Sequence, residues 1–194
     1  MEEQELRSIA KQLSCPDGEA GIDVGNKMNE LNQFITHKSI EKLSVKKSES
    51  IVEIGAGNGS LSLPILDALG VNGYYLGIEM SEIMAAELHQ TLESKRCKVE
   101  VICGNCLDVN LEAESVDAVM GVNILYFIED LSPFFKHILN WMKIGGRVVF
   151  GIRSEKALKN LPFTQYGFNI RSTNCSGLHL KRLRTAFNAI WGQN

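Results

Sequence analysis

An α/β fold, a mostly parallel sheet flanked by helices, is the class this sequence predicts, and three observations carry the prediction. Short apolar runs bounded by turn residues recur at residues 51–54, 74–79, 98–102, 116–122 and 147–152, as buried parallel strands require. Amphipathic stretches at helical spacing lie between them, such as Leu131, Phe134, Phe135, Ile138, Leu139 and Met142. The first strand runs into Gly55, Gly57 and Gly59 and then a helix-like segment with Leu61, Ile65, Leu66 and Leu69. A strand, a glycine turn and a helix is how open α/β sheets hold an adenosine-containing ligand.

Composition sets the bounds. The chain has 194 residues, 44% apolar and 22% charged, the size and balance of one globular domain with a substantial core. Its first residues, Met1, Glu2, Glu3, Gln4, Glu5 and Leu6, lack the basic and apolar regions of a secretory signal. No run approaches the roughly 18 apolar residues of a membrane span. A cytoplasmic location is therefore expected, with the five cysteines as free thiols. Charge is uneven: residues 156–194 carry six Lys and Arg and no acid, and all 23 acids lie before them. So sparse a basic set reads as a solvated face in preference to a nucleic-acid footprint.

The glycine loop is the informative stretch. A dinucleotide fingerprint counted from Gly55 needs its third glycine at position 60, where Ser60 stands instead. Glu53 lies two residues before the first glycine, and a carboxylate there would repel a bound pyrophosphate by about 4 kcal/mol at roughly 4 Å. A ligand with a cationic amino group and no phosphate, such as S-adenosylmethionine, suits that acid better. The stretch resembles motif I, (D/E)-x-G-x-G-x-G, of the class I, Rossmann-like S-adenosylmethionine-dependent methyltransferases. That resemblance implies cofactor contacts from Glu53, Gly55, Ala56, Gly57, Asn58 and Gly59.

The elements follow in order. Residues 2–14 read as a short polar helix, Glu-rich at its start as the helix dipole prefers, and residues 15–18 as a turn. From 26 to 43, Met28, Leu31, Phe34, Ile35, Ile40 and Leu43 predict an amphipathic helix. In the family a helix here often covers the cofactor and substrate, and residues 28–32 resemble that cap in small-molecule, quinone-biosynthesis-like members. The second strand ends at Glu79, at the offset where an acid accepts hydrogen bonds from ribose hydroxyls. The resemblance puts Met80 against the adenine ring. After a helix over 81–95, the third strand ends in Cys103, Gly104, Asn105 and Cys106, where the family commonly reads Gly-Asp-Ala. Asn105 replaces that acid, and its side-chain oxygen can still accept from the adenine amino group; Cys106 would offer its backbone N–H. The Cys103/Cys106 spacing lacks the further ligands zinc needs and reads as packing, so no metal is expected.

The fourth strand, 116–122, leads into Asn123, Ile124, Leu125, Tyr126 and Phe127, which resembles the post-strand segment of small-molecule methyltransferases. Asn123 is the residue expected to touch cofactor or substrate. The (D/N)-Pro-Pro-(Tyr/Phe) signature of many amide and exocyclic-amine methylating enzymes and the Pro-Cys motif of cytosine-C5 enzymes are both absent, so nucleic acid is not the expected partner. A helix over 131–143 and the pair Gly145 and Gly146 precede the fifth strand.

The resemblance spans about residues 25–153 and implies the strand order 3-2-1-4-5. Beyond it no strand pair is legible, and residues 180–187 read as an amphipathic helix. An open fifth-strand edge follows from that reading, to be covered by the tail or paired with a second copy in a homodimer. The expected organisation is one domain over 1–194: a helical cap (1–46), a core (47–153) and an atypical basic tail (154–194). The resemblance implies methyl transfer from S-adenosylmethionine to a small-molecule acceptor by in-line displacement, and no residue identifies itself as an obligatory general base. Two alternatives stay open, a cofactor-binding protein without catalysis and a nicotinamide oxidoreductase.

Overall fold

The computed structural model describes residues 2–170 and the backbone of residues 186–192. Six strands form one sheet: β1 (Ser50–Ile54), β2 (Tyr74–Glu79), β3 (Lys98–Cys103), β4 (Val116–Val122), β5 (Met142–Arg153) and β6 (Ala186–Gly192). Their order is β3-β2-β1-β4-β5-β6 and every pairing is parallel. The expected order 3-2-1-4-5 is present. The tail departs from expectation: Ala186 and Phe187 belong to β6, which pairs with β5 from Arg147 to Arg153, and not to a helix. That strand covers the edge on which the homodimer reading rested. The rest of the expected tail helix lies outside the described residues.

Helices cover both faces because β1, β4 and β5 are apolar on both. Val52, Ile54, Val119, Val148 and Phe150 face one core, closed by Phe134, Phe135, Ile138 and Trp141 of α5 (Leu131–Trp141). Ile51, Tyr75, Ala118, Met120 and Val149 face the other, closed by α3 (Leu63–Leu69), α4 (Glu82–Leu92) and Leu43. Side-chain caps start α4 and α5. Ser81 Oγ accepts from Met84 N–H at α4, and Asp130 Oδ1 accepts from Ser132 N–H at α5. The glycine pair does not form a separate turn before the fifth strand. It lies in an irregularity within β5, where pairing to β4 jumps from Val116↔Met142 to Ala118↔Arg147.

At the N-terminal ends of the strands polar side chains tie the sheet together. Asp117 Oδ2 accepts from Ser50 N–H at 2.8 Å and from Lys143 Nζ at 2.7 Å. Arg147 donates to Glu49 Oε2 at 2.6 Å and to the Leu43 carbonyl at 2.8 Å. The C-terminal ends are left free for a site.

Two helices precede β1: α1 (Glu3–Ser14) and the long α2 (Gly18–Leu43), which starts eight residues before the expected 26 behind its Asp17 cap. Its expected apolar face needs correction. Leu31 and Phe34 are 57% and 64% exposed, whereas Gly21, Gly25, Ile35, Thr36, Ser39 and Leu43 are buried. The inner face is small and polar where α2 crosses a cavity, and apolar only where it reaches the sheet. A short α6 (Glu155–Lys159) follows β5. Among the described residues no helix is long and apolar enough to cross a membrane.

Trp141 is 1% exposed and fills the α5 side of the core, whereas Ile144 is 82% exposed. Trp141→Ala is expected to lower unfolding stability by about 3–5 kcal/mol and Ile144→Ser by less than about 0.5 kcal/mol. Urea unfolding of the two variants measures both.

Candidate functional site

Where β1, β2 and β4 end, a cavity of about 600 Å³ opens beneath α2. Its floor is the glycine loop. Gly57 has φ +59° with nothing within 4 Å of the place a Cβ would occupy, so bare backbone faces open space, as close ligand approach requires. Gly59 has φ +79°, and a Cβ there would lie 2.6 Å from Leu88 Cδ1. Its role is to let the loop pack on α4. Of the eleven residues singled out from the sequence, Glu53, Gly55, Ala56, Gly57, Asn58, Glu79, Met80, Asn105, Cys106 and Asn123 line the cavity, and Gly59 does not.

Glu79 locks the loop. Its Oε2 accepts from Gly57 N–H at 2.8 Å and its Oε1 from Ser81 N–H at 3.0 Å, so one side chain joins the glycine turn to the start of α4. It is 7% exposed. Burial pushes its carboxyl above the ordinary range, against the pull of the backbone N–H donors. A carboxylate offers about four acceptor positions, so capacity remains for ligand hydroxyls.

Glu53 lies deeper. Its Oε2 accepts from the Tyr75 hydroxyl at 2.7 Å, a pairing that strand register and one small residue permit. Ile51 is opposite Tyr75 and Glu53 opposite Gly77, so Glu53 and Tyr75 point to the same face. A Cβ on Gly77 would lie 3.2 Å from the Tyr75 ring; glycine leaves the phenol room to reach the acid. Burial pushes the Glu53 carboxyl up to about 7, opposed first by the Tyr75 hydroxyl and then by the dipole of Ser62, with the Glu79 charge adding to the rise. Ser62 Oγ is itself buried without a hydrogen bond. No ion pair involves Glu53 or Glu79 among the described residues.

The remaining expected residues form the rim. Met80 is 57% exposed at the mouth. Asn105 is exposed, and its Oδ1 accepts from Leu107 N–H at 3.0 Å, capping a short 3-10 turn over Cys106–Asp108. Cys106 is buried, and burial pushes its thiol up to about 11, which makes it a packing group with little thiolate character. Asn123 sits just past β4 with φ +57°, 9% exposed. Its Nδ2 donates to Asn32 Oδ1 at 2.8 Å, and its buried Oδ1 has no partner.

Helix α2 supplies what the sequence reading left undecided. Met28, Asn29 and Asn32 line the cavity, with Gly25 and Thr36 on the same face. Asn29 Nδ2 donates to Asn58 Oδ1 at 3.0 Å, and Asn58 Nδ2 to Asn26 Oδ1 at 3.4 Å. Polar residues at 26, 29, 32 and 36 share one helical face, a period that was legible but masked by Leu31 and Phe34. The segment after β4 lines the cavity with Phe127, Ile128, Pro133 and Phe134 and with the acids Glu129 and Asp130. Among the described lining residues none is Lys, Arg or His.

The chain is similar in sequence and in fold to known methyltransferases. Residues 51–146 match the methyltransferase domain family. The chain is 23% identical over 152 residues to phosphoethanolamine N-methyltransferase 1 of Arabidopsis thaliana, 75% of this chain and 30% of that one. It is 25% identical over 128 residues to the demethylmenaquinone methyltransferase of Oceanobacillus iheyensis, 63% of this chain and 54% of that one. The chain thus spans about half or less of the length of these relatives. A SAM-dependent methyltransferase from Aquifex aeolicus has the same fold, with a TM-score of 0.53 at 17% identity over 71% of this chain and 67% of that one.

The raised Glu53 carboxyl makes stability depend on pH. Below its ordinary value of 4.5 it is protonated folded or unfolded, and there is no penalty. Between there and about 7 the unfolded chain ionises first, so folding stability falls as pH rises, and above 7 the penalty is constant. From pH 5 to pH 7.5, wild type should lose up to about 3 kcal/mol relative to Glu53→Gln, whose amide still accepts from Tyr75. Urea midpoints at the two pH values measure this; parallel profiles would remove the assignment.

Proposed function

We propose that the chain, whose residues 51–146 match the methyltransferase domain family, binds S-adenosylmethionine in the cavity beneath α2 and catalyses transfer of its methyl group to a small-molecule acceptor. The observation that carries this reading is the charge of the cradle. Two buried carboxylates, Glu53 and Glu79, underlie a bare glycine loop with no cationic side chain among the described lining residues. A pyrophosphate would meet repulsion of about 4 kcal/mol per close like-charge pair, which disfavours a nicotinamide dinucleotide. A cationic cofactor fits the same residues.

In this reading Glu79 takes the ribose hydroxyls on its remaining acceptor positions, and Gly57 lets the ligand lie on main chain. Asn105 and the Cys106 backbone hold the adenine edge, with Met80 covering it. Glu53 offsets the positive charge, which draws its carboxyl back toward ionisation. When bound, S-adenosylmethionine supplies an electrophilic methyl group on a sulfonium. The protein's part is alignment and exclusion of water, supported by the cover of α2 and the walls Phe127, Ile128 and Phe134; such positioning accounts for roughly 7–11 kcal/mol of a barrier. The relatives named above carry small-molecule acceptors in their names, which supports a small-molecule acceptor here. We place residues 1–46 as cap, 47–153 as core and 154–194 as tail of one domain, working in the cytoplasm.

Calorimetry with S-adenosylhomocysteine tests binding. Wild type should bind it, and Glu79→Ala should weaken binding by about 10- to 100-fold, the loss of hydrogen bonds to a charged acceptor. A screen of amine, phenol and quinol acceptors with methyl-labelled cofactor separates catalysis from binding alone. Tight binding of NADH with no affinity for S-adenosylhomocysteine would overturn the proposal.

A further inference from the structure

Two amides on the cavity side of α2, Asn29 and Asn32, have their orientation fixed by groups that do not line the cavity. Ser60 N–H donates to Asn58 Oδ1 at 3.2 Å, and a backbone N–H can only donate, so that atom of Asn58 is the oxygen. Asn29 meets the same oxygen at 3.0 Å and must present Nδ2 to it, which leaves Asn29 Oδ1 free. Arg153 Nη2 donates to Asn32 Oδ1 at 3.3 Å, and a guanidinium likewise only donates. Asn123 Nδ2 donates to that oxygen too, at 2.8 Å, which leaves Asn32 Nδ2 free.

Both free ends are accessible. Among the described residues, the buried side-chain atoms without a partner are Ser62 Oγ and Asn123 Oδ1, and neither of these two amide ends is among them. Asn29 and Asn32 are half-buried and line the cavity. Their bonded ends meet the glycine loop at Asn58 and the end of β4 at Asn123, so both amides lie on the inner side of the helix. α2 thus offers the cavity one acceptor and, about one turn on, one donor. The guanidinium on Asn32 Oδ1 polarises that amide and strengthens its NH2 group as a donor.

We propose that these two amides hold the amino-acid end of the bound adenosyl cofactor, Asn29 Oδ1 accepting from its ammonium group and Asn32 Nδ2 donating to its carboxylate. The strand order carries the assignment. Asn105 follows β3, Glu79 ends β2, the glycine loop follows β1 and Asn123 follows β4, and these strands are neighbours in that order. With adenine at Asn105 and ribose at Glu79, the rest of the cofactor runs over the glycine loop toward β4. There Asn29 is joined to the loop and Asn32 to Asn123. A ligand carboxylate has no cationic partner among the described lining residues, so it requires a neutral donor such as Asn32 Nδ2.

This inference rests on the reading of the cavity as an adenosyl site, and calorimetry with three ligands separates their failures. The ligands are S-adenosylhomocysteine, its decarboxylated analogue, which keeps the amine alone, and 5′-methylthioadenosine, which has neither group. Asn32→Asp keeps the oxygen that Arg153 and Asn123 use and turns a carboxylate oxygen toward the ligand. It should weaken S-adenosylhomocysteine by about tenfold or more and weaken neither of the other two beyond about twofold. Asn29→Ala should weaken both amine-bearing ligands by about fivefold or more and leave 5′-methylthioadenosine within about twofold. Circular dichroism confirms that each variant is folded. Equal losses for all three ligands, the mark of a merely structural role, or no loss for any, would overturn the assignment while leaving the adenosyl site intact. Slower methyl transfer with unchanged binding would also overturn it, by giving the amides to the acceptor. Wild type binding none of the three would overturn both readings.

Discussion

The Glu79 carboxylate is the constraint on which the site depends. It ends β2, accepts from the middle glycine of the loop after β1, and accepts again at the first turn of α4. Those two bonds fix the distance between neighbouring strand ends and hold Gly57 in a left-handed conformation with its backbone bare. The arrangement places a buried anion next to Glu53, and burial raises both carboxyls. Such a site carries unfavourable electrostatics that a cationic ligand relieves. The fold bears that cost because the sheet's central strands are apolar on both faces and tied at the opposite end by Asp117 and Arg147.

The cap helix is the second half of the same design. Asparagine side chains of α2 reach the glycine loop at Asn58 and the end of β4 at Asn123, so the cover is connected to both walls of the cavity. These contacts are polar and few, in contrast to the packing of α5 on the other face, where Phe134, Phe135, Ile138 and Trp141 are all buried. A helix held by amide pairs over a cavity can cover a ligand without filling its space. Leu31 and Phe34, on its outer side, are left to solvent by the same rotation.

Much of this was legible in the sequence. Glycines at alternate positions, an acid before them and another at the end of the next strand specify a backbone geometry and a charge, and those depend on local residues. The apolar strands were legible for the same reason. What escaped depends on contacts across the sheet. Nothing local says that Tyr75 reaches Glu53, since that requires the β1–β2 register and the space over Gly77. The inner face of α2 was misjudged because hydrophobic periodicity marks burial, and over a cavity the inward positions are small or polar. The strand at 186–192 escaped because its sequence mixes Asn and Gly with its apolar residues, and only pairing with β5 identifies it.

A crystal structure with S-adenosylhomocysteine tests the central claim most directly. The account predicts the ribose hydroxyls on Glu79 and the ligand backbone along Gly57, with α2 closed over both. An adenosyl group lying elsewhere, or a cavity that takes up a dinucleotide pyrophosphate on the glycine loop, would contradict it.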